Sequence, residues 1–196
     1  MNKIKVIALF GPSGCGKDTL LNYIVNKTGF NKIITTTTRP KREYEKEDVN
    51  YHFLTEEEFG LKVLDGTMLE ATSFNNWFYG TARDDLKENN INIGVFNIHA
   101  LECLLQDNNL DITPILIACE DKTRLMRSLN REDKPNCEEI CRRFLSDSKD
   151  FNVDLDFDFY TYYNGNNVNL ENFYLFLKEH SCLSRLDSSI KKTFHI

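Results

Sequence analysis

The chain has 196 residues, enough for one well-developed core and short for two independent domains. Hydrophobic residues at 41% and charged residues at 28% exclude a disordered or fibrous class. A formal net charge of -6 argues against nucleic acid or an anionic membrane as partner, though arginines gathered by folding can still bind a small phosphorylated ligand.

The opening MNKIKVIALF lacks a small-residue cleavage site and is too short to span a bilayer, so a mature start at Met1 or Asn2 and a cytoplasmic location are expected. Six cysteines are too few for a disulfide scaffold. Cys137 and Cys141, spaced CEEIC with no histidine cluster nearby, read as reduced thiols and not as a zinc site.

Residues 4–10, IKVIALF, predict a buried strand, and residues 17–28 a helix on Leu20, Leu21, Ile24 and Val25. Between them lies GPSGCGKDT. Gly11, four residues, Gly16 and Lys17 satisfy the phosphate-loop pattern in the strand, turn, helix setting that its mechanism demands. Inward backbone N–H groups along Gly11, Ser13, Gly14, Cys15 and Gly16, the helix dipole and the Lys17 ammonium would hold a nucleotide's phosphates. Asp18 stands where such loops place Ser or Thr for magnesium. A carboxylate is at least as good an oxygen ligand, so Asp18 is the expected metal ligand, with Thr19 as the nearby hydroxyl alternative.

Past Ile34 the sequence turns polar and basic. The run TTTT and Pro40 after Arg39 favour extended backbone. Thr55 followed by Glu58 predicts a capping box on a short helix. Residues 83–90 read as a further helix, 92–98 as a strand, 99–107 as a helix and 111–119 as a strand. Strands alternating with helices predict a parallel α/β sheet. From Glu120 to Lys149 the chain reads as helical, broken at Pro135 and Asn136. Arg124, Arg127 and Arg131 share one face of it, which is equally readable as a solvated surface. Residues 154–163 predict a last strand and 170–180 an amphipathic closing helix. His52, His180 and His195 read as structural.

TTTTRPKREYE at 35–45, YHF at 51–53, MLEATSF at 68–74 and WFYGT at 77–81 follow the glycine loop in an order that resembles the guanylate kinase family over roughly residues 4–180. The resemblance implies a P-loop nucleotide kinase fold: a core over 1–34 and 91–183, an acceptor-binding insert over 35–90, a lid over 120–150 and a peripheral tail over 184–196. It implies ATP as donor with Mg2+, and a direct transfer to a nucleoside monophosphate, GMP or dGMP first. Arg39 and Arg42 would bind the acceptor's phosphate with Tyr51 and Tyr79, supported by Glu45. Thr35, Glu70 and Thr81 fall where the family reads guanine. Arg127, Arg131 and Arg143 match its lid arginines, of which Arg131 and Arg143 would meet the transferring group.

The chain departs from the family where Asn97 and His99 replace two aspartates. His99 is open either to a structural role or to a base or sugar contact. Altered or broader base specificity, dTMP included, is therefore one alternative. A binding domain without turnover and a P-loop kinase for another small metabolite are the others. A viral or phage origin would fit this drift, and oligomeric state stays open.

Overall fold

The computed structural model describes residues 3–180 except positions 44, 75, 132, 153 and 166–168. The expectations for the 184–196 tail, Cys182 and His195 lie outside the described residues.

The fold is α/β. A five-stranded parallel sheet runs in the order β2 (Asn31–Lys32), β7 (Asn92–Val95), β1 (Ile4–Phe10), β8 (Leu110–Ala118), β9 (Tyr160–Tyr163). Alternation along β1 divides the core. Ile7 and Leu9 pack with Leu20, Leu21 and Ile24 of α1 (Lys17–Thr28) and with Phe173 and Leu177 of α6 (Leu170–Glu179). Val6, Ala8 and Phe10 face the other way, onto Ala100, Leu101 and Leu104 of α3 (Ile98–Leu105). Burial on both faces is why β1 reads as one continuous apolar run.

A second sheet is drawn from residues 36–82, in the order β4 (His52–Phe53), β3 (Thr36–Thr37), β6 (Trp77–Ala82), β5 (Met68–Phe74). It carries α2 (Glu56–Leu64), whose Thr55 and Glu58 form the expected reciprocal capping box. His52 lies between two carboxylates, Nδ1 at 2.7 Å from Asp48 and Nε2 at 3.2 Å from Asp85. This ties the 48–52 turn to the start of the segment returning to the main sheet, in keeping with a structural histidine. The charged stretch forms α4 (Asp121–Leu129) and α5 (Cys137–Asp150), broken around Pro135 as expected.

Three elements differ from the sequence reading. Residues 83–90 make only a single 3₁₀ turn, Arg83–Asp85, which buries no residue and so has no apolar face to extend it. The strand expected over 92–98 stops at Val95, because Asn97 turns out to cap α3, its Oδ1 accepting from the Ala100 amide at 2.7 Å. The last strand begins at Tyr160 instead of residue 154: Phe157 and Phe159 leave the ladder to pack edge-on against the Phe10 ring at 5.8 and 5.5 Å. Among the described residues, no helix is long and apolar enough to cross a membrane, and Cys15, Cys103, Cys119, Cys137 and Cys141 are free thiols.

Candidate active site

The glycine loop joins β1 to α1 at the carboxyl end of the parallel sheet, where open α/β sheets bind ligands. Gly11 has φ 142°, and a Cβ there would lie 2.4 Å from the Ile117 carbonyl oxygen. Gly14 has φ 81°, with the Arg124 carbonyl oxygen 2.3 Å from where its Cβ would be. The loop is thus seated on β8 and α4 so closely that only glycine fits. Cys15 is fully buried, its thiol donating to the Pro12 carbonyl at 2.8 Å. Lys17 Nζ donates to the carbonyls of Gly11 and Pro12 at 2.7 and 2.8 Å, so the ammonium lies back across the loop.

One loop contact comes from outside the motifs read in the sequence. Asn164, from the asparagine-rich segment after β9, is buried, and its Nδ2 donates to the Cys15 carbonyl at 2.7 Å. Arg127 reinforces this corner. Its guanidinium donates to the backbone oxygens of Asn164 at 3.2 Å and Gly165 at 2.7 Å.

Asp18 and Thr19 are exposed on the first turn of α1. Burial, then the charge of Asp18, then that of Tyr79, push the Tyr51 hydroxyl up to about 12. An exposed carboxylate beside the loop, with room for water, suits the hard-oxygen, water-rich shell of magnesium.

Arg39 is held by groups of its own segment. Its Nη2 donates to both oxygens of Glu45 at 2.7 and 2.9 Å, and Nη1 to the Pro40 carbonyl at 2.7 Å. The two side chains are only 6% and 5% exposed. Burial alone would raise the Glu45 carboxyl, but the Arg39 guanidinium and the Arg42 amide, which donates at 2.9 Å, hold it below the usual range. Arg39 lies 5.4 Å from the Tyr51 ring centre, and Tyr51 and Tyr79 meet edge to face at 6.3 Å. Arg39, Arg42, Glu45, Tyr51 and Tyr79 therefore form one group.

Glu70 and Thr81 make a second group. The β5–β6 register shifts between Met68 and Glu70, which sets Glu70 opposite Thr81 and on the same face. The Thr81 hydroxyl donates to Glu70 Oε1 at 2.7 Å. Oε2 is buried without a partner, and Glu70 as a whole is 7% exposed. Burial pushes its carboxyl up to about 7, with the Thr81 hydroxyl and His99 pulling the other way. His99, on the first turn of α3, has a side chain 69% exposed and 3.7 Å from Glu102. Thr35 is half-buried just before β3, its carbonyl accepting from the His52 amide at 3.0 Å. Asn97, besides capping α3, donates through Nδ2 to Thr72 Oγ1 of β5 at 3.2 Å.

A cavity of about 1150 Å³ joins the loop, the second sheet and helices α4 and α5. Ser13 and Gly14 line it together with Arg39, Arg42, Arg131 and Arg143. The arginine groups separated by some ninety residues in sequence thus face one space. Trp77, the single tryptophan and the first residue of the WFYGT block, lines it too, a place to which the sequence assigned it no role. Arg131 is exposed, while Arg143 is braced by its Nε on Glu139 at 2.7 Å. Glu139, held by Arg142 first and then Arg143, drops to about 2. Arg124 departs from the solvated-surface reading of the 120–149 charge run. It is buried, with Phe144 stacked 3.7 Å away and Asp121 paired at 2.8 Å.

A model of the family described as Guanylate kinase matches residues 3–180. The chain is 33% identical over 150 residues to a guanylate kinase of Malacoplasma penetrans (strain HF-2), spanning 72% of this chain and 68% of the relative. With a guanylate kinase of Helicobacter pylori (strain ATCC 700392 / 26695) it shares 30% over 165 residues, 81% and 79% of the two chains. In fold it is similar to the crystal structure of guanylate kinase from Anaplasma phagocytophilum, with a TM-score of 0.62 at 21% identity over 96% of this chain and 88% of that one.

Proposed function

The chain belongs to the guanylate kinase family, and from that premise we propose that it transfers the γ-phosphoryl group of ATP to GMP or dGMP. Membership makes it an ATP-binding phosphotransferase of the nucleoside monophosphate kinase type. The base assignment rests on one observation: Glu70 buries an oxygen without a partner beside another already engaged by Thr81. An unpaired buried acceptor costs about 1–3 kcal/mol, and a ligand presenting adjacent N–H groups removes that cost. The Watson–Crick edge of guanine presents such a pair, whereas an edge made only of acceptors would meet repulsion. His99, mostly exposed, leaves base selection to Glu70 and Thr81, with Thr35 one residue before the Thr36–Gly80 pair of the same sheet.

Residues 35–90 act in this reading as the acceptor insert and 120–150 as the lid. Arg39, fixed on Glu45, keeps further N–H donors for the acceptor's phosphate, joined by Arg42 and the hydroxyls of Tyr51 and Tyr79. Lys17 turns from the Gly11 and Pro12 carbonyls onto the donor's β- and γ-phosphates. Arg131 and Arg143 approach the transferring group from the lid and neutralise its charge. No covalent protein intermediate is required; alignment and charge neutralisation carry the catalysis. Asp18 would hold magnesium, which supplies further neutralisation of the phosphates when bound. Closure over the cavity excludes water and so suppresses ATP hydrolysis.

Calorimetric titration of GMP and dGMP into the protein and its Glu70→Ala variant tests the reading. Binding by the parent that weakens about tenfold or more in the variant is expected. Equal affinity in both would remove Glu70 from the base pocket.

A further inference from the structure

The phosphate loop is already in contact with an anion of the chain itself. The Ser13 amide donates a 2.8 Å hydrogen bond to Oδ2 of Asp147, a residue of α5 that lies 134 positions away. The Asp147 side chain is 15% exposed, and Arg124 Nη1 reaches the same oxygen at 3.3 Å. Arg124 is itself fixed by Asp121 and Phe144, and its backbone carbonyl abuts Gly14. One carboxylate therefore connects the loop, α4 and α5. Ser13 also lines the cavity that receives Arg131 and Arg143. A carboxylate there and a donor phosphate are rival acceptors for one N–H.

We propose that Asp147 is a positioning residue of the donor site: it occupies the Ser13 amide in the nucleotide-free protein and yields that amide to a phosphate oxygen when ATP binds. The inference rests on the donor-site reading above and is independent of which base the acceptor carries. The exchange moves no proton. Ser13 N–H turns from carboxylate to phosphate, and Asp147 keeps Arg124, which offsets its charge. Arg143 lies four residues before Asp147 and so on the same face of α5. Releasing Asp147 from the loop releases the helix face that carries Arg143, which couples donor arrival to movement of the lid.

The sign of the effect separates this role from a structural one. A residue that builds the donor site weakens ATP binding when it is altered; a rival acceptor strengthens it. The test is calorimetric titration of MgATP, without acceptor, into the parent protein and its Asp147→Asn and Asp147→Glu variants. Asp147→Asn, which keeps the shape and removes the charge, should bind ATP about fivefold more tightly. Asp147→Glu, which restores the charge, should return toward the parent, and the acceptor KM should stay in place throughout. Unchanged or weaker ATP binding by Asp147→Asn overturns the proposal, as does tighter binding by Asp147→Glu. Should Asp147→Asn fail to fold, Arg124→Leu/Asp147→Ala removes both charges together, an exchange that buried pairs tolerate. It should show the same tightening, and its absence is equally decisive. A parent protein that does not bind ATP would overturn the donor-site reading along with this one.

Discussion

Thr81 and Glu70 face each other across β5 and β6, the Thr81 hydroxyl donating at 2.7 Å to one carboxylate oxygen and leaving the other buried and unpaired. Burial raises this carboxyl to about 7 from an ordinary 4.5, against the Thr81 hydroxyl and His99. Cys103 of α3 also feels its charge. The folded protein thus holds a proton that the unfolded chain releases. The stability this group contributes is present below pH 4.5 and is lost as pH rises through about 7.

Reading guanine requires the carboxylate, so binding runs in the opposite direction. The kcat/KM for GMP should rise with pH up to about 7, roughly tenfold per unit below it, and then level off. A profile recorded from about pH 5.5 to 8.5 checks this, with the same arm flattened in Glu70→Gln. A parent profile already flat across that range would contradict it.

Glu45 is the inverse case. Its pKa is depressed, so its stabilising effect is present above the ordinary carboxyl value of 4.5 and is lost as pH falls through the lowered one. Glu45→Ala leaves Arg39 buried without its carboxylate and should cost about 3 kcal/mol, read from the urea midpoint. The acceptor KM should rise with it, because Arg39 loses its fixed orientation. A stable variant with an unchanged KM would show that Arg39 holds its place without Glu45.

Asn97 replaces a family aspartate, yet both ends of its amide are already used, one on the Ala100 amide and the other on Thr72. Asn97→Ala should cost about 1 kcal/mol of stability as a lost helix cap. Asn97→Asp keeps the cap and should stay within about 0.5 kcal/mol of the parent by thermal unfolding. A large loss of turnover in Asn97→Asp at normal stability would instead place this side chain in the chemistry.

The proposed role of Asp18 as magnesium ligand is tested by removing its charge. In Asp18→Asn the magnesium concentration needed for half-maximal ATP binding should rise, about tenfold for a lost anionic oxygen ligand. Metal-free ATP should bind more tightly, since a carboxylate no longer faces the phosphates. An unchanged magnesium titration would move the metal to Thr19 or to the nucleotide alone.

The sequence made legible whatever depends on near neighbours. The loop's glycines, the extent of α1 and the Thr55–Glu58 capping box are local patterns, and each appears where its pattern places it. What escaped depends on contacts made across the fold. Arg124 has the same charge as its solvated neighbours, and only the meeting of α4, Phe144 and Asp147 buries it. Asn164 reads as turn chemistry until β9 pairs with β8 and brings its amide under Cys15. Phe157 and Phe159 alternate as a strand should, but their partner is the Phe10 ring and not a backbone ladder. Glu70 was visible by its motif, whereas its unpaired oxygen follows from the β5 register shift.

The most direct test of the central claim is a coupled ADP-release assay with ATP and magnesium at about pH 8, above the Glu70 titration. It is run against GMP, dGMP, dTMP, AMP, dAMP, CMP, dCMP, UMP and a blank without acceptor. The account predicts turnover selective for GMP and dGMP that Glu70→Gln lowers about tenfold or more at this pH. Turnover that peaks on another base, or none above the blank, would contradict it.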